Sequence, residues 1–411
     1  MKGLSILDKI RLLIWGTGTI AKRALLAFDK RKCMIIGAID NDQTRSNKYW
    51  NDIWVNAPES VSELEYDYIV IAVKEYGDIQ KQCNQLGISD DRLIIYCNND
   101  DRAKYEFISD AFEENSKRLK EKIYKYQIEL ENLAYEMEIL PVPKIKSSVE
   151  LMIKLIYERK SLARFGDGEL ELMRNCARPW FQSVNTELAR KLKETFDCRN
   201  EDLLVALSNN FGNLDSYREE SAFEIRNYLH QNTREAVVSV IDMDYTYYDA
   251  YISRPYLMYK DKRNAKVLFS LFKQLWNKKR VLLVEGEYVR TGVGNDLFES
   301  CTFVKRIIGP NKNAFDFYDK ILDAIKENST DIDLILLCLG PTATILVKDC
   351  LELGIQTIDI GQIDNEYEWY LRGATRREPI DNKGVPELEE YHETDECYDK
   401  EYLDQIVCRI Q

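Results

Sequence analysis

Histidine is nearly absent from this 411-residue chain, occurring only at His230 and His392, so a His-rich zinc site or a Ser/His/Asp triad has almost no material to be built from. His230 falls in a polar helical stretch and His392 in an acidic tail, and both read as bystanders. No apolar run approaches the roughly 18 residues of a membrane-spanning helix. The N-terminus also lacks the basic, apolar, small-residue order of a secretory signal, so the expectation is a soluble cytoplasmic protein. The ten cysteines never form a Cys-x-x-Cys pair, and Cys33 and Cys338 sit in apolar strand-like runs, which reads as buried thiols and no disulfide framework. A formal net charge of −13 argues against a nucleic-acid partner. General base chemistry must then fall to a carboxylate, a substrate group or a leaving phosphate.

The length suggests about two or three domains. Residues 1–100 read as a small Rossmann-like α/β unit. A buried strand Leu12–Trp15 runs into Gly16-Thr17-Gly18-Thr19-Ile20-Ala21 and a helix to about Asp29, and strands follow at Met34–Ile39, Tyr68–Val73 and Leu93–Tyr96. Gly16 and Gly18 permit phosphate to approach a helix N-terminus, and Asp40 lies where an acid can meet a ribose hydroxyl. The unit is half a dinucleotide fold, so bound NAD is not required; the loop is either a ligand site or a structural Rossmann turn. The segment also resembles the N-terminal nucleotide-binding unit of bacterial sugar acyltransferases. Residues 101–145 read as a helical linker, a helix from about Asp101 to Leu140 stopped by Pro141-Val142-Pro143. Leu119, Ile123, Tyr126, Leu130, Leu133, Met137 and Leu140 alternate spacings of four and three, the seam of a coiled coil. That stripe either packs on the chain's own domains or joins a homodimer.

Residues 146–386 alternate helices and strands, with a helix Val149–Arg159 and strands at Ser161–Phe165, Asp202–Leu207, Arg280–Val284, Val304–Ile308, Leu334–Leu339 and Thr357–Ile360. That order predicts a parallel sheet wrapped by helices, with ligands beyond the strand C-termini. There Arg164-Phe165-Gly166-Asp167-Gly168-Glu169 puts two carboxylates on a glycine-flanked turn, a candidate Mg²⁺ or Mn²⁺ site for a phosphorylated substrate. Gly166, Gly286, Gly340 and Gly361 each follow a strand, so four loops should converge on one cleft. Arg254 and Arg290 would brace diphosphate oxygens or close internal salt bridges. Gly292-Val293-Gly294-Asn295 offers amides to an anion or turns into a helix Asp296–Glu299, and Thr342 is a candidate N-cap that also reaches the nucleotide. Asp364 and Glu368 share a helical face and Glu366 lies on another, with Asp364 or Glu366 the candidate base for the acceptor. The Tyr-rich stretch Tyr245–Tyr251 is a sugar-stacking platform or core packing. Residues 387–411 read as an acidic C-terminal tail ending in an amphipathic helix, Tyr402–Ile410.

Five blocks between about residues 148 and 385, taken together, resemble the bacterial glycosyltransferases of the GT-D fold. They are Arg164–Glu169; Ser253-Arg254-Pro255-Tyr256; Glu285-Gly286-Glu287 running on to Arg290 and Gly292–Phe298; Gly340–Thr344; and Asp359–Trp369. The resemblance implies a metal-dependent transferase moving a hexose from a UDP-sugar to a glycan or glycoprotein acceptor, in glycoprotein or surface-polysaccharide assembly. Asp167 and Glu169 would hold the cation against the diphosphate, and Arg164, Gly166, Arg254, Glu287, Arg290, Asn295, Asp296, Thr342 and Gln362 would contact substrate. The family's pattern carries His where this chain has Gln362, so no imidazole is available there. The expected fold class is thus α/β, two Rossmann-like parallel-sheet domains joined by a long coiled-coil-like helix. Two rival readings stand beside the transferase. An NAD(P)-dependent nucleotide-sugar oxidoreductase would use the first domain, which lacks an evident Tyr-x-x-x-Lys pair, and a non-catalytic scaffold would associate peripherally with other glycosyltransferases.

Overall fold

The computed structural model describes residues 9–109, 111–176 and 182–410. The chain divides into two compact units, Met1–Tyr126 and Gln127–Gln411. In the first, the strands are β1 (Ile10–Trp15), β2 (Cys33–Ile39), β3 (Lys48–Trp50), β4 (Ile53–Asn56), β5 (Tyr68–Ile71) and β6 (Leu93–Ile95), in sheet order β3-β4-β2-β1-β5-β6. All pairings are parallel except β3 with β4. Alternate residues of β1 feed two cores: Leu12 and Ile14 pack with Ala21 and Ala24, Leu13 and Trp15 with Ile69 and Ile71. This is the parallel α/β sheet expected of a Rossmann-like unit. The hairpin β3–β4 escaped the sequence reading because it is short and largely exposed. Its turn has Asn51 and Asp52 both at positive φ, the conformation a tight two-residue hairpin needs.

The linker is shorter than its periodicity predicts. A four-residue helix Asn99–Arg102, capped by the Asn98 side chain, stops at Ala103, and the long helix runs Ala111–Glu136, about 39 Å at ~1.5 Å per residue in place of ~60 Å. Its last turns belong to the second unit. Ile128 is buried, Asn132 accepts from Arg234 at 2.6 Å, and Glu136 takes Arg226 bidentately at 2.6 and 2.8 Å. The packed face is therefore Ile128, Asn132 and Glu136. The apolar seam is not that face: Leu119, Ile123, Tyr126, Leu130, Leu133, Met137 and Leu140 are all exposed.

The second unit carries β7 (Lys144–Lys146), β8 (Ser161–Phe165), β9 (Leu203–Leu207), β10 (Thr246–Asp249), β11 (Arg280–Gly286), β12 (Phe303–Gly309), β13 (Leu334–Cys338), β14 (Gln356–Asp359) and β15 (Ile406–Arg409). They form one sheet in the order β15-β12-β11-β13-β14-β8-β9-β10-β7, every pairing parallel. Two sequence expectations change here. β10 lies inside the Tyr-rich stretch, with Tyr247 fully buried and stacked on Phe196, so that stretch is mainly core. The final segment is a helix Lys400–Gln405 followed by strand β15, because the open edge of β12 offers a ladder to β-branched Ile406 and Val407. From β8 the chain steps outward to β9 and β10, and β14 later closes on the other flank of β8. That reversal of strand order opens a crevice at the strand C-termini. Among the described residues no helix is long and apolar enough to cross a membrane.

Candidate active site

Seven strand-end loops meet in that crevice, more than the four expected. A cleft of about 730 Å³ is lined by Asp167 and Glu169 after β8, Ser208 and Asn210 after β9, and Tyr251 and Arg254 after β10. Gly286, Asn311, Gly340 and Gln362 follow β11, β12, β13 and β14. Its size suits a small ligand. A second hollow, among Phe303, Lys305 and Asp404, lies at the edge strands and gathers none of these loops.

The segment expected as a turn is the start of a helix, Asp167–Met173, with Gly166 at the N-cap. Its first residue is Asp167, whose carboxylate takes the Gly168 N–H at 3.0 Å. Glu169 is third, and its carboxylate reaches back to the Gly166 N–H at 2.8 Å, satisfying an amide at the helix end. Residues two apart on a helix lie about 200° apart around its axis, so bordering one cleft, and not glycine flexibility, is what associates the two carboxylates. Burial, with the Asp359 charge adding to it, pushes the Glu169 carboxyl up to about 6. Among the described residues no group of three or more His, Cys, Asp or Glu side chains is arranged to hold a metal.

Arg164 ties the floor together. Its guanidinium donates to the Asp359 carbonyl at 2.9 Å, the Asp359 carboxylate at 2.8 Å and Ser253 Oγ at 2.7 Å, joining β8, β14 and the loop after β10. It fills the space a side chain on Gly361 would need, and the glycine's positive φ and missing Cβ leave it room. Arg254 forms an ion pair with Glu387 at 2.9 Å. Burial works against its charge, and the surrounding carboxylates of Glu387, Glu366 and Asp167 outweigh that, holding the guanidinium above its ordinary value.

Other expected site residues are engaged within the protein, and of these Asp364 also lines the cleft. Arg290, at positive φ and buried, donates to the carbonyls of Asn382 at 2.8 Å and Asp395 at 2.6 Å. Glu287 is exposed and off the cleft, while Glu285 two residues earlier is wholly buried against Arg306 at 2.5 Å. The Gly292–Asn295 turn does take an anion, and the anion is the chain's own Asp364, bound by the Gly292 N–H at 2.9 Å and by Asn295 at 2.8 Å. Lys383 completes that buried cluster, 2.6 Å from Asp364 and 3.0 Å from Glu368. No helix follows at Asp296, which instead pairs with Lys273 at 2.6 Å. Glu366 accepts the N–H groups of Tyr256 and Leu257 at 2.8 and 3.0 Å, and burial pushes its carboxyl up. Glu366 thus spends Oε2 on two backbone amides and stands behind the cleft, whereas Asp364 lines it. Thr342 is fully buried within the helix Pro341–Asp349, whose N-cap is Gly340.

Sequence reasoning missed the far wall of the cleft. Residues of the supposed acidic tail strap over it, held by Val385 N–H to the Tyr391 carbonyl at 2.7 Å and by Asn311 to the His392 carbonyl at 3.4 Å. Glu387 and His392 thereby line the cleft, so His392 is not remote from the site. Asn210 was missed too, while Tyr251, the last residue of the Tyr-rich stretch, does line the cleft. A polar pair, Asn209-Asn210, directly beyond an apolar strand was the signal available for Asn210.

In the first unit the loop is closed on itself. A side chain at Gly16, whose φ is +106°, would put its Cβ 2.6 Å from Val73 Cγ1, so the glycine is a packing requirement. Asp40 accepts the Thr17 N–H at 2.9 Å, and also the Thr17 hydroxyl. Arg45 flanks it at 3.4 Å. The acid placed to meet a ribose is spent on its own loop.

Comparison with known proteins agrees with this architecture. Residues 162–388 match the family described as glycosyltransferase GT-D fold, and residues 8–94 match the one described as C2185-like, N-terminal. The chain is 35% identical over 259 residues to "Probable glycosyl transferase Gly" of Streptococcus gordonii, covering 62% of this chain and 37% of that protein. It is 33% identical over 272 residues to "Glycosyltransferase GlyD" of Streptococcus pneumoniae, covering 66% of this chain and 33% of that one. It thus spans about a third of the length of these curated relatives. One similar solved structure is described as "The highly conserved domain of unknown function 1792 has a distinct glycosyltransferase fold". It has a TM-score of 0.62 and 36% identity, covering 70% of this chain and 100% of that one. Another, "A New Glycosyltransferase (DUF1792) from Streptococcus sanguinis", has a TM-score of 0.61 and 33% identity, covering 66% of this chain and 100% of that one. With more than half its residues in the matched domain, and the strand-end loops of that domain closing around Asp167 and Glu169, the chain belongs to the GT-D glycosyltransferase family.

Proposed function

We propose that this chain transfers a hexose from a UDP-sugar to a glycan or glycoprotein acceptor, using Mn²⁺ or Mg²⁺ held at Asp167 and Glu169. The observation that carries the reading is one cleft, at the strand-order reversal of a parallel sheet, in which two carboxylates and the Arg254 guanidinium border the same space. An all-oxygen pair suits a hard divalent cation, which needs only one or two protein carboxylates when phosphate oxygens and water complete its shell. A bound cation would supply Lewis-acid neutralisation of the leaving diphosphate. Arg254 offers a planar fork to the same phosphate oxygens once Glu387 yields it, and Arg164 keeps β8, β14 and the loop after β10 in register beneath them. The oxidoreductase reading loses ground because Asp40 is closed onto Thr17.

Titrating UDP into the chain with Mn²⁺, and again with EDTA, tests the reading. Affinity that depends on Mn²⁺ is expected. UDP binding indifferent to the cation would remove the metal from the proposal, and no UDP binding would remove the donor. Self-association through the exposed seam is the accompanying proposal for quaternary structure. Replacing Leu130 and Leu133 with Glu should turn a dimer into a monomer by light scattering, and a monomeric parent protein would refute it.

A further inference from the structure

Asn210 is 4% exposed, yet it lines the cleft. Its amide Nδ2 donates to the Tyr251 hydroxyl at 3.0 Å, and its backbone N–H donates to the Ser208 carbonyl at 2.9 Å. The side-chain carbonyl Oδ1 has no hydrogen-bond partner among the described residues. A buried acceptor left unpaired costs stability, and in a residue that belongs to a cavity wall it is the mark of a group kept for a ligand. Tyr251 holds the amide from the loop after β10. Burial, and then the nearby Asp167 charge, keep its phenol protonated, so the hydroxyl can accept from Nδ2 without ionising. The pair therefore sits beside Asp167, where the reading above places the diphosphate.

The missing partner must bring a proton or a positive charge. Diphosphate oxygens are acceptors only and cannot satisfy a carbonyl, whereas the sugar joined to the terminal phosphate presents several O–H donors. We propose that Asn210 reads a hydroxyl of the donor's sugar ring, with Tyr251 as the residue that positions it. This rests on the nucleotide-sugar reading. The rival occupant is the cation itself, since amide carbonyls also ligate hard metal ions.

The test compares UDP with UDP-glucose, UDP-galactose and UDP-N-acetylglucosamine by calorimetry in Mn²⁺, alongside Mn²⁺ affinity alone, for the unsubstituted chain, Asn210→Ala and Tyr251→Phe. The unsubstituted chain should bind one UDP-sugar more tightly than UDP. Asn210→Ala should weaken that sugar nucleotide roughly tenfold while UDP and Mn²⁺ stay within about twofold, and Tyr251→Phe should do the same to a smaller extent. Circular dichroism checks folding, and if Asn210→Ala does not fold, Tyr251→Phe decides alone. Parallel weakening of UDP and UDP-sugar would overturn the proposal in favour of a nucleotide contact, and weakened Mn²⁺ in favour of a cation ligand. No change in any affinity would also overturn it, as would a parent chain that gains nothing from any sugar. A parent chain that binds UDP in none of its forms would bring down the donor reading first, and this one with it.

Discussion

Two parallel sheets in this chain each carry an acid just beyond a strand, and they treat it in opposite ways. In the first, Asp40 follows β2 and its carboxylate is consumed by the Thr17 amide and hydroxyl and by Arg45. In the second, Asp167 follows β8, takes the neighbouring Gly168 N–H and borders a 730 Å³ cleft with Glu169 and Arg254. Sequence spacing marks both acids as candidates. The difference is placement: the Asp40 carboxylate is turned into its own loop, whereas Asp167 stands on the wall of a cleft large enough for a ligand.

The largest effect should come from Asp167→Asn, which keeps the shape of the helix start and removes the charge. Initial rates of sugar transfer at saturating Mn²⁺ should fall at least ~100-fold, equivalent to about 2.7 kcal/mol at the leaving group. Near-normal rates would mean the cleft of the second sheet is no more a site than the loop of the first. Arg254→Ala should follow, weakening UDP by about 10–100-fold through loss of a charged hydrogen bond. An unchanged Kd would make the Arg254–Glu387 pair purely structural.

Glu169→Gln should give a smaller effect with a distinctive pH dependence. Its folded value of about 6 lies above the ordinary 4.5. The group therefore stabilises the fold fully below about 4.5, and that contribution is lost as pH rises through about 6. At pH 7.5 the native chain carries a charge its surroundings disfavour, and Gln avoids it while still accepting the Gly166 N–H. Calorimetry should show the variant melting roughly 2–4 °C higher at pH 7.5, with the gap closed by pH 4.5, while Mn²⁺ affinity falls. A variant less stable than the parent at pH 7.5 would contradict the sign. The smallest effect belongs to Gly18→Val, since nothing crowds a side chain there. UDP affinity should not move, and a marked loss would place the donor in the first unit and reverse the comparison.

Much of this was legible locally. Apolar runs located the strands β11 and β13 to within a residue or two, because an all-parallel sheet covered on both faces demands continuous Val, Ile and Leu. Glycines beyond those strands marked the loops that line the cleft, and Gly361 is glycine because Arg164 lies against it. Five blocks between Arg164 and Trp369, taken together, were sufficient to indicate the family. The short strands β7, β10 and β15 were not legible, being three or four residues long and stabilised by neighbours far away in the chain.

The sequence by itself thus determined the sheet's strands, the loops at their ends and the charges those loops carry. Only the tertiary structure decided which charges are spent. Arg290 is bound to a carbonyl 105 residues away, Asp364 to a lysine 19 residues on, and Glu366 to amides about 110 residues back, and none of these distances has a period that a sequence pattern could show. A carboxylate or guanidinium can serve a ligand only where the fold leaves it on the wall of a cavity, and that placement is settled by how the chain folds back on itself.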